Sequence, residues 1–212
     1  MSLAELTEIA GKSRPTDKRV RLLDAALDLF ETRGFDGVAV PEIAMRAGVA
    51  TGTVYRYFES KEALVNALYR RWKTVYNGIV LAPLAPGLNV RGKFSAYWQR
   101  MMLFARTYPR AARFMDLHHH GAYLDAESRA LSRTYVEAAE AVMAEARAQG
   151  AIRAIDPVLV VSLMWGAATG LTKFAAQGAL KSDARAATEM ENALWRAIAN
   201  PEGEHHGPQT QG

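Results

Sequence analysis

Residues 41–58 read PEIAMRAGVATGTVYRYF, and their spacing predicts two short helices separated by a tight turn. Ile43, Ala44 and Ala47 supply small apolar side chains, so that a second helix can pack closely against the first. Gly48 suits the turn, because glycine adopts backbone conformations that other residues avoid. The spacing fits a helix-turn-helix that binds DNA, and it fits an ordinary helical hairpin within a bundle equally well.

The second helix of this stretch begins near Thr51 and turns Val54 and Phe58 inward, one turn apart. Its outer face is expected to carry Thr51, Gly52, Thr53, Tyr55 and Arg56. Hydroxyl side chains at an exposed amino-terminal turn can approach base edges and phosphates, and glycine leaves that approach unobstructed. The backbone N–H groups and the positive end of the helix dipole also favour a phosphate there.

The flanking residues distinguish between the two interpretations. The preceding helix ends ALDLFETRGFDG at residues 26–37, and residues 42–64 read EIAMRAGVATGTVYRYFESKEAL. Together, roughly residues 17–64 resemble the amino-terminal domain of the TetR family of transcriptional regulators. The matching features are the Ile-Ala pair, Ala-Gly-Val at the turn, Gly-Thr-Val-Tyr in the second helix and Tyr-Phe-x-Ser-Lys-Glu-x-Leu beyond it. The resemblance implies a sequence-specific DNA-binding regulator.

The resemblance also implies roles for individual residues of this sequence. Thr51 and Thr53 lie where the family contacts bases or phosphates. Tyr55 matches a tyrosine whose hydroxyl commonly meets a phosphate. Lys61 matches a lysine that reaches the DNA backbone from the start of the next helix.

One position departs from the family pattern. Ala39 stands where the family usually has Thr or Ser, whose hydroxyl caps the second helix and can bond a phosphate. The missing cap costs about 1 kcal/mol, and Pro41 partly offsets it by fixing the backbone for a helix start. We expect a phosphate contact that is missing or made elsewhere.

Three further cations each have two interpretations. Arg56 occupies a variable family position, and it either reads a guanine or lies in solvent. Arg46, on the supporting helix, either touches the DNA backbone or is a solvated charge. Lys18, with Arg14 and Arg19, forms either an arm toward the DNA or a charged, frayed terminus.

Helical spacing recurs along the rest of the chain, and alternating strand patterns are absent from the sequence. The sequence predicts an all-α fold of about nine helices, with Ser60, Asp125 and Asp156 as helix caps. An N-terminal three-helix helix-turn-helix domain would precede a larger C-terminal helical domain. The expected divisions are a flexible arm over 1–15, the DNA-binding domain over 16–60, an effector-binding and dimerisation domain over 61–200, and a disordered tail over 201–212.

Residues 156–174, DPVLVVSLMWGAATGLTKF, are apolar almost all round, and such a helix must be buried on several sides. With the apolar face of the last helix, they predict either the four-helix dimer interface that the resemblance implies or the core of a monomer. The expected interface residues are Val158, Trp165, Gly166, Gly170, Leu194 and Ile198. A two-fold dimer requires near-palindromic double-stranded DNA, because its recognition helices lie roughly 34–36 Å apart.

The resemblance implies a small-molecule effector site in the C-terminal half. Large side chains there include methionines, which suit adaptable sites, although a stripe of this kind is more often plain core. The candidate lining residues are Trp98, Met101, Met102, Phe114, Met115, His118, Tyr123 and Trp165. Four nearby arginines either attract an acidic ligand or form salt bridges: Arg100, Arg106, Arg110 and Arg113.

Several classes of chemistry are excluded or disfavoured. The chain has no cysteine, so disulfides, thiolate metal sites and cysteine nucleophiles are excluded. The consecutive histidines 118–120 cannot share one ion on a helix, because neighbouring residues diverge by about 100°. The sequence contains no G-x-S-x-G, no phosphate-cradling glycine loop and no H-E-x-x-H. We expect no catalytic site, metal or cofactor.

The net charge of +4 is weak evidence for a polyanionic partner. The opening MSLAELTEIAGKSR lacks an apolar stretch behind a basic start, so no signal peptide is expected. The nearly apolar run 158–171 is shorter than the roughly 20 residues that span a bilayer. We expect a cytoplasmic homodimer, without a membrane partner, that a small-molecule effector releases from a palindromic operator. The alternative is a helical ligand-binding or adaptor protein without specific DNA binding.

Overall fold

The computed structural model describes residues 17–118, 122–181 and 183–201, and the regular secondary structure in these ranges is helical. The nine helices there are α1 (Lys18–Arg33), α2 (Val40–Arg46), α3 (Thr51–Tyr57), α4 (Lys61–Val80), α5 (Val90–Thr107), α6 (Pro109–His118), α7 (Ala126–Ala148), α8 (Pro157–Ala176) and α9 (Ala184–Ile198). An isolated antiparallel bridge joins Ile152 to Ala199. The predicted all-α fold of about nine helices is confirmed. The predicted arm over 1–15, and the predicted tail beyond its first residue, lie outside the described residues.

Three helices start at the capping residues that the sequence predicts. The Ser60 hydroxyl accepts a hydrogen bond from the Ala63 N–H at 3.1 Å, and the Asp156 carboxylate accepts one from the Val158 N–H at 2.7 Å. Asp125 caps α7 in the same way. Each oxygen satisfies a backbone donor that has no partner within its own helix.

The chain forms two compact units, each built from separate segments. Among the described residues, unit 1 contains those up to Ala82 together with those of 104–133, and unit 2 contains those of 83–103 together with those from Thr134 onward. The domain boundary between residues 60 and 61 stays a prediction, and in the structure α4 packs against α1 within unit 1. The buried Leu64 and Leu68 of α4 extend the core that supports α2 and α3.

The core of unit 1 is built from aliphatic and aromatic side chains of α1, α2, α4 and α6. Leu22, Phe30, Ile43, Leu64 and Phe114 are almost fully excluded from solvent. Burial of apolar surface stabilises a fold by about 25 cal/mol per Å². This core therefore fixes the short helices α2 and α3 on a larger base.

The core of unit 2 contains Trp98 of α5 and the apolar face of α9. The Trp98 Nε1–H donates to the Ala187 carbonyl at 2.9 Å, so the buried indole has a hydrogen-bond partner. The end of α9 is tied down by the Asn200 N–H, which donates to the Ala151 carbonyl at 3.0 Å. These contacts orient α9 with its apolar face toward its own unit.

Helix α8 is apolar around most of its circumference, yet much of it is exposed. Its buried residues are Val160, Met164, Ala168 and Leu171. The helix has 20 residues and is long and apolar enough to cross a membrane by length and composition alone. The prediction that this region is too short to span a bilayer is therefore wrong, because the helix extends beyond the apolar run. Length and composition are weak evidence for a membrane, since helices covered by protein meet the same test.

Candidate nucleic-acid interface

The turn between α2 and α3 takes its direction from Gly48. This residue has a φ of 65°, in the left-handed region that favours glycine. The Val49 N–H donates to the Ala44 carbonyl at 3.0 Å and closes the end of α2. The predicted role of Gly48 as the turn residue is confirmed.

Arg21 of α1 holds this turn, a contact that the spacing of the motif does not predict. Its Nε and Nη2 donate to the Ala47 carbonyl at 3.1 and 2.7 Å, and Nη2 also donates to the Gly48 carbonyl at 3.0 Å. These carbonyls lie at the C-terminal end of α2, where the helix dipole favours a cation. Arg21 and Ala47 are 26 residues apart in the sequence, so no local pattern predicts their contact.

Helix α3 turns two apolar side chains inward and exposes most of the others. Val54 is 1% exposed and Phe58 is 4% exposed, whereas Tyr55 is 53% exposed. The remaining candidate contact residues of the helix are exposed or half-buried: Thr51, Gly52, Thr53 and Arg56. A Cβ built on Gly52 would meet no heavy atom within 4 Å, so packing within the chain does not require glycine there. The structure thus brings five candidate residues together on one helix.

Neither α2 nor α3 has a side-chain cap. Ala39 and Ala50 occupy the two N-cap positions, and neither accepts a hydrogen bond through its side chain. Pro41 lies in the first turn of α2, as the sequence predicts. Glu42 pairs with Arg33 at the end of α1, and this hydrogen bond lowers the pKa of the Glu42 carboxyl. The ion pair tethers the start of α2 to α1 where the cap is missing.

Lys61, the predicted contact to the DNA backbone, uses its ammonium group within unit 1. The Nζ donates to the carbonyls of Phe35 at 2.8 Å and Val38 at 3.0 Å, and it lies 4.0 Å from the centroid of the Phe35 ring. An ammonium group has three donors. Two of them hold the loop between α1 and α2, which leaves one for a phosphate, and the DNA contact stays a prediction.

The other candidate cations lie around α2 and α3. Arg46 is exposed but paired, because its Nε and Nη2 donate to Asp28 Oδ2 at 3.0 and 2.7 Å. Lys18 is exposed in the first turn of α1. Arg19 beside it lies with its guanidinium carbon 5.4 Å from the centroid of the Phe58 ring, at the end of α3. Lys18 and Arg19 therefore belong to a regular helical turn, and Arg19 contacts the residue that ends α3.

The eight candidate effector-site residues fall into two sets of four. Unit 1 holds Phe114, Met115, His118 and Tyr123, and unit 2 holds Trp98, Met101, Met102 and Trp165. Tyr123 and Trp165 are half-buried, and the other six are at most 3% exposed. These side chains fill the interior of their own units, and their contact with an effector stays a prediction.

His118 connects α6 to α1. Its Nδ1 hydrogen-bonds to the Tyr123 hydroxyl, and its Nε2 lies 3.4 Å from the Phe30 carbonyl oxygen. The Phe114 ring centroid lies 4.5 Å from that of His118, and Tyr123 stacks on Phe35 at 4.2 Å. Burial lowers the pKa of His118, and burial raises the pKa of Tyr123 to about 12. Both rings are therefore neutral at pH 7, and both nitrogens of His118 face partners within unit 1.

Three of the four candidate arginines have structural partners, and Arg106 is exposed. Arg113 Nε donates to Glu31 at 2.7 Å, Arg110 Nε donates to Glu31 at 3.1 Å, and Arg100 donates to the Pro83 carbonyl at 2.9 Å. No group of three or more metal-ligating side chains occurs among the described residues. His119 and His120 lie outside those residues, as do the tail histidines His205 and His206.

The predicted dimer residues differ in their accessibility. On α8, Val158 and Gly166 are exposed, and Trp165 and Gly170 are half-buried. On α9, Leu194 and Ile198 are buried in unit 2, and their part in a dimer stays a prediction. The apolar face of α9 is thus already covered by its own unit.

Three exposed apolar residues of α8 were missed by the sequence prediction: Leu159, Leu163 and Phe174. With Gly166 and Gly170, they follow a spacing of three or four residues and line one side of the helix. We call this stripe the α8 face. The signal was present in the all-round apolar pattern, but the pattern does not show which side the chain itself covers.

Two family models match the chain. The model described as bacterial regulatory proteins, tetR family, matches residues 22–68. The model described as tetracyclin repressor-like, C-terminal domain, matches residues 47–200, which is more than half of the chain.

Relatives and solved structures agree with the family models. The chain is 37% identical over 113 residues to the HTH-type transcriptional repressor KstR of Mycolicibacterium smegmatis, covering 50% of this chain and 55% of the relative. It thus spans about half the length of that relative. It is 29% identical over 165 residues to the HTH-type transcriptional regulator RutR of Escherichia coli K12, covering 76% of each. A crystal structure of a TetR family transcription regulator from Marinobacter aquaeolei VT8 has the same fold, with a TM-score of 0.76 at 22% identity over 86% of this chain and 96% of that one. The chain belongs to the TetR family of bacterial regulatory proteins.

Proposed function

We propose that this protein is a sequence-specific DNA-binding transcriptional regulator that acts as a repressor. The observation that carries the proposal is α3, whose hydrogen-bonding side chains are exposed while Val54 and Phe58 anchor it. A recognition helix of this kind enters the major groove with its N-terminal residues at the base edges. The names of the KstR and RutR relatives support the regulatory role.

Within this proposal, the candidate residues make different kinds of contact with DNA. Thr51 and Thr53 meet base edges or phosphates, and Gly52 permits close approach of the backbone. Tyr55 and the free donor of Lys61 bind phosphates on either side of the groove. Arg46, Arg56 and Lys18 add positive charge around the two short helices.

The regulator acts as a homodimer through the α8 face. Leu159, Leu163 and Phe174 expose apolar surface, which burial against a second copy would remove from water. Gly166 and Gly170 have open space around their Cβ positions, so a partner helix can approach there. A two-fold dimer places two α3 helices on a near-palindromic operator, roughly 34–36 Å apart.

A small-molecule effector controls the regulator without a cofactor or a metal. The effector binds the C-terminal half and favours a dimer whose α3 helices are wrongly spaced for the operator. Such a shift requires a different affinity of the effector for the two states. The protein acts in the cytoplasm on double-stranded DNA, has no membrane partner and carries out no catalysis.

Selection from a library of random-sequence duplexes tests the proposal. We expect enrichment of one near-palindromic sequence, bound at least about 10³-fold more tightly than a scrambled duplex and weakened steeply by salt. Tyr55→Phe should weaken this binding. Tyr57→Phe is the matched control, because it makes the same change at another exposed tyrosine of α3 and should weaken binding less. Equally poor binding to palindromic and random DNA would instead favour a helical adaptor protein.

A further inference from the structure

Two carboxylates on α1 bind three arginines from two other helices. Asp28 pairs with Arg46 of α2 and with Arg110 of α6. Glu31 pairs with Arg110 at 3.1 Å and with Arg113 at 2.6 Å. Arg110 therefore connects the two carboxylates, and Asp28 connects α6 to the helix-turn-helix.

Asp28 uses a different oxygen for each arginine. Its Oδ2 accepts from Nε and Nη2 of Arg46, and its Oδ1 faces Nη2 of Arg110. The Arg46 side chain is 61% exposed, so a DNA phosphate can reach its guanidinium. Because the carboxylate and the phosphate are both anions, they compete for that guanidinium.

Arg110 weakens the electrostatic attraction between Asp28 and Arg46. A cation at Oδ1 offsets part of the carboxylate charge that would otherwise act on Arg46. The Glu31 side chain is 8% exposed and its bond to Arg110 Nε keeps that cation in place. The positive charge of Arg46 therefore remains partly available to an external anion.

We propose that Asp28 and Arg110 are positioning residues for DNA binding, because Arg110 shares the Asp28 carboxylate and so leaves Arg46 able to bind a DNA phosphate. The inference rests on the proposed DNA-binding function. Asp28 is the shared anion in a chain of contacts that runs from α6 to α2. Loss of Arg110 should return the full carboxylate charge to Arg46 and weaken the complex with DNA.

Two matched variants test this inference on the palindromic duplex that the library selection recovers. Arg110→Met and Arg113→Met each remove one positive charge and one ion pair with Glu31 from α6, but only the first removes a cation from Asp28. At equal ionic strength, we expect Arg110→Met to weaken duplex binding about two- to fivefold more than Arg113→Met. Binding is measured by fluorescence anisotropy, and thermal unfolding shows that both variants remain folded.

The same two changes in an Arg46→Met background separate positioning from simple support of the fold. If Arg110 acts through Arg46, its removal should then cost no more than the removal of Arg113. Equal weakening by the two single variants, or an Arg110→Met effect that persists without Arg46, would overturn the inference. If library selection with the unaltered protein recovers no specifically bound duplex, the proposed function is overturned instead.

Discussion

The Arg21 guanidinium donates to the Ala47 carbonyl at 2.7 Å and joins α1 to the C-cap residue of α2. The same Nη2 reaches the Gly48 carbonyl at 3.0 Å. The turn between the two short helices is therefore held from α1 as well as by the apolar contacts of α2 and α3. A binding helix is positioned accurately only when its support is rigid, so Arg21 belongs to the structure that presents α3.

Replacement of Arg21 by Met should weaken operator binding without changing its salt dependence. Loss of hydrogen bonds from a charged group costs about 1–3 kcal/mol of stability, and the freed turn lets α3 take several orientations. Because Arg21 bonds backbone carbonyls and is not a proposed phosphate contact, the dependence of DNA affinity on salt concentration should stay the same. Duplex titrations at several salt concentrations and a thermal melt measure both quantities. A smaller slope with an unchanged melting temperature would show that Arg21 is a phosphate contact instead.

Replacement of Gly52 by Ala should stabilise the protein and weaken its binding to DNA. A methyl group at this position has open space in the folded chain, and alanine is favoured over glycine in a helix by about 0.5–1 kcal/mol. Close approach of DNA to the α3 backbone would make the same methyl group an obstacle. Chemical denaturation measures the stability of the variant, and duplex titration measures its affinity for DNA. Unweakened binding would mean that DNA does not approach α3 at Gly52.

The helix boundaries and the turn were predictable because their signals are local. Ser60 bonds an amide three residues away, and Gly48 acts through its own φ. The contact of Arg21 with Ala47 spans 26 residues, and no periodic pattern encodes a pair of that kind. The sequence therefore predicts what α3 exposes, but not what holds the turn that presents it.

The C-terminal half was less predictable, because one apolar pattern serves three purposes. Trp98 and His118 were candidate effector contacts, and the structure buries both within their own units. Leu194 was a candidate dimer contact, and it packs inside unit 2. The pattern of a helix shows that one face is apolar, but not whether core, ligand or partner covers it.

Stability should fall as the pH drops below about 7, and His118 should contribute to the fall. Burial lowers the pKa of His118 in the folded protein, whereas the unfolded chain titrates near 6.5. The unfolded state therefore binds a proton first, and the free energy of unfolding decreases as the pH falls through 6.5 until the folded-state pKa is passed. His118→Gln should reduce this dependence, measured as melting temperature against pH, and His205→Gln in the C-terminal segment is the control. An unchanged slope in His118→Gln would contradict the assignment.

A charge on the α8 face should separate the dimer. Leu163→Glu places a carboxylate on an exposed apolar stripe, and burial of an unpaired charge at an interface is unfavourable. Leu117→Glu makes the same change at an exposed leucine of α6 and should leave the dimer intact. Sedimentation equilibrium measures the association of both variants. If Leu163→Glu dimerises as strongly as Leu117→Glu, the interface lies elsewhere on the protein.

Hydroxyl-radical footprinting on the selected duplex tests most directly whether two copies of α3 read a near-palindromic site. The expected result is two protected patches related by the dyad of the sequence, with centres about one helical turn apart. Loss of both patches on competition with unlabelled specific duplex, but not with scrambled duplex, should accompany it. A single patch, or uniform protection that scrambled DNA removes equally well, would contradict the proposed mode of binding.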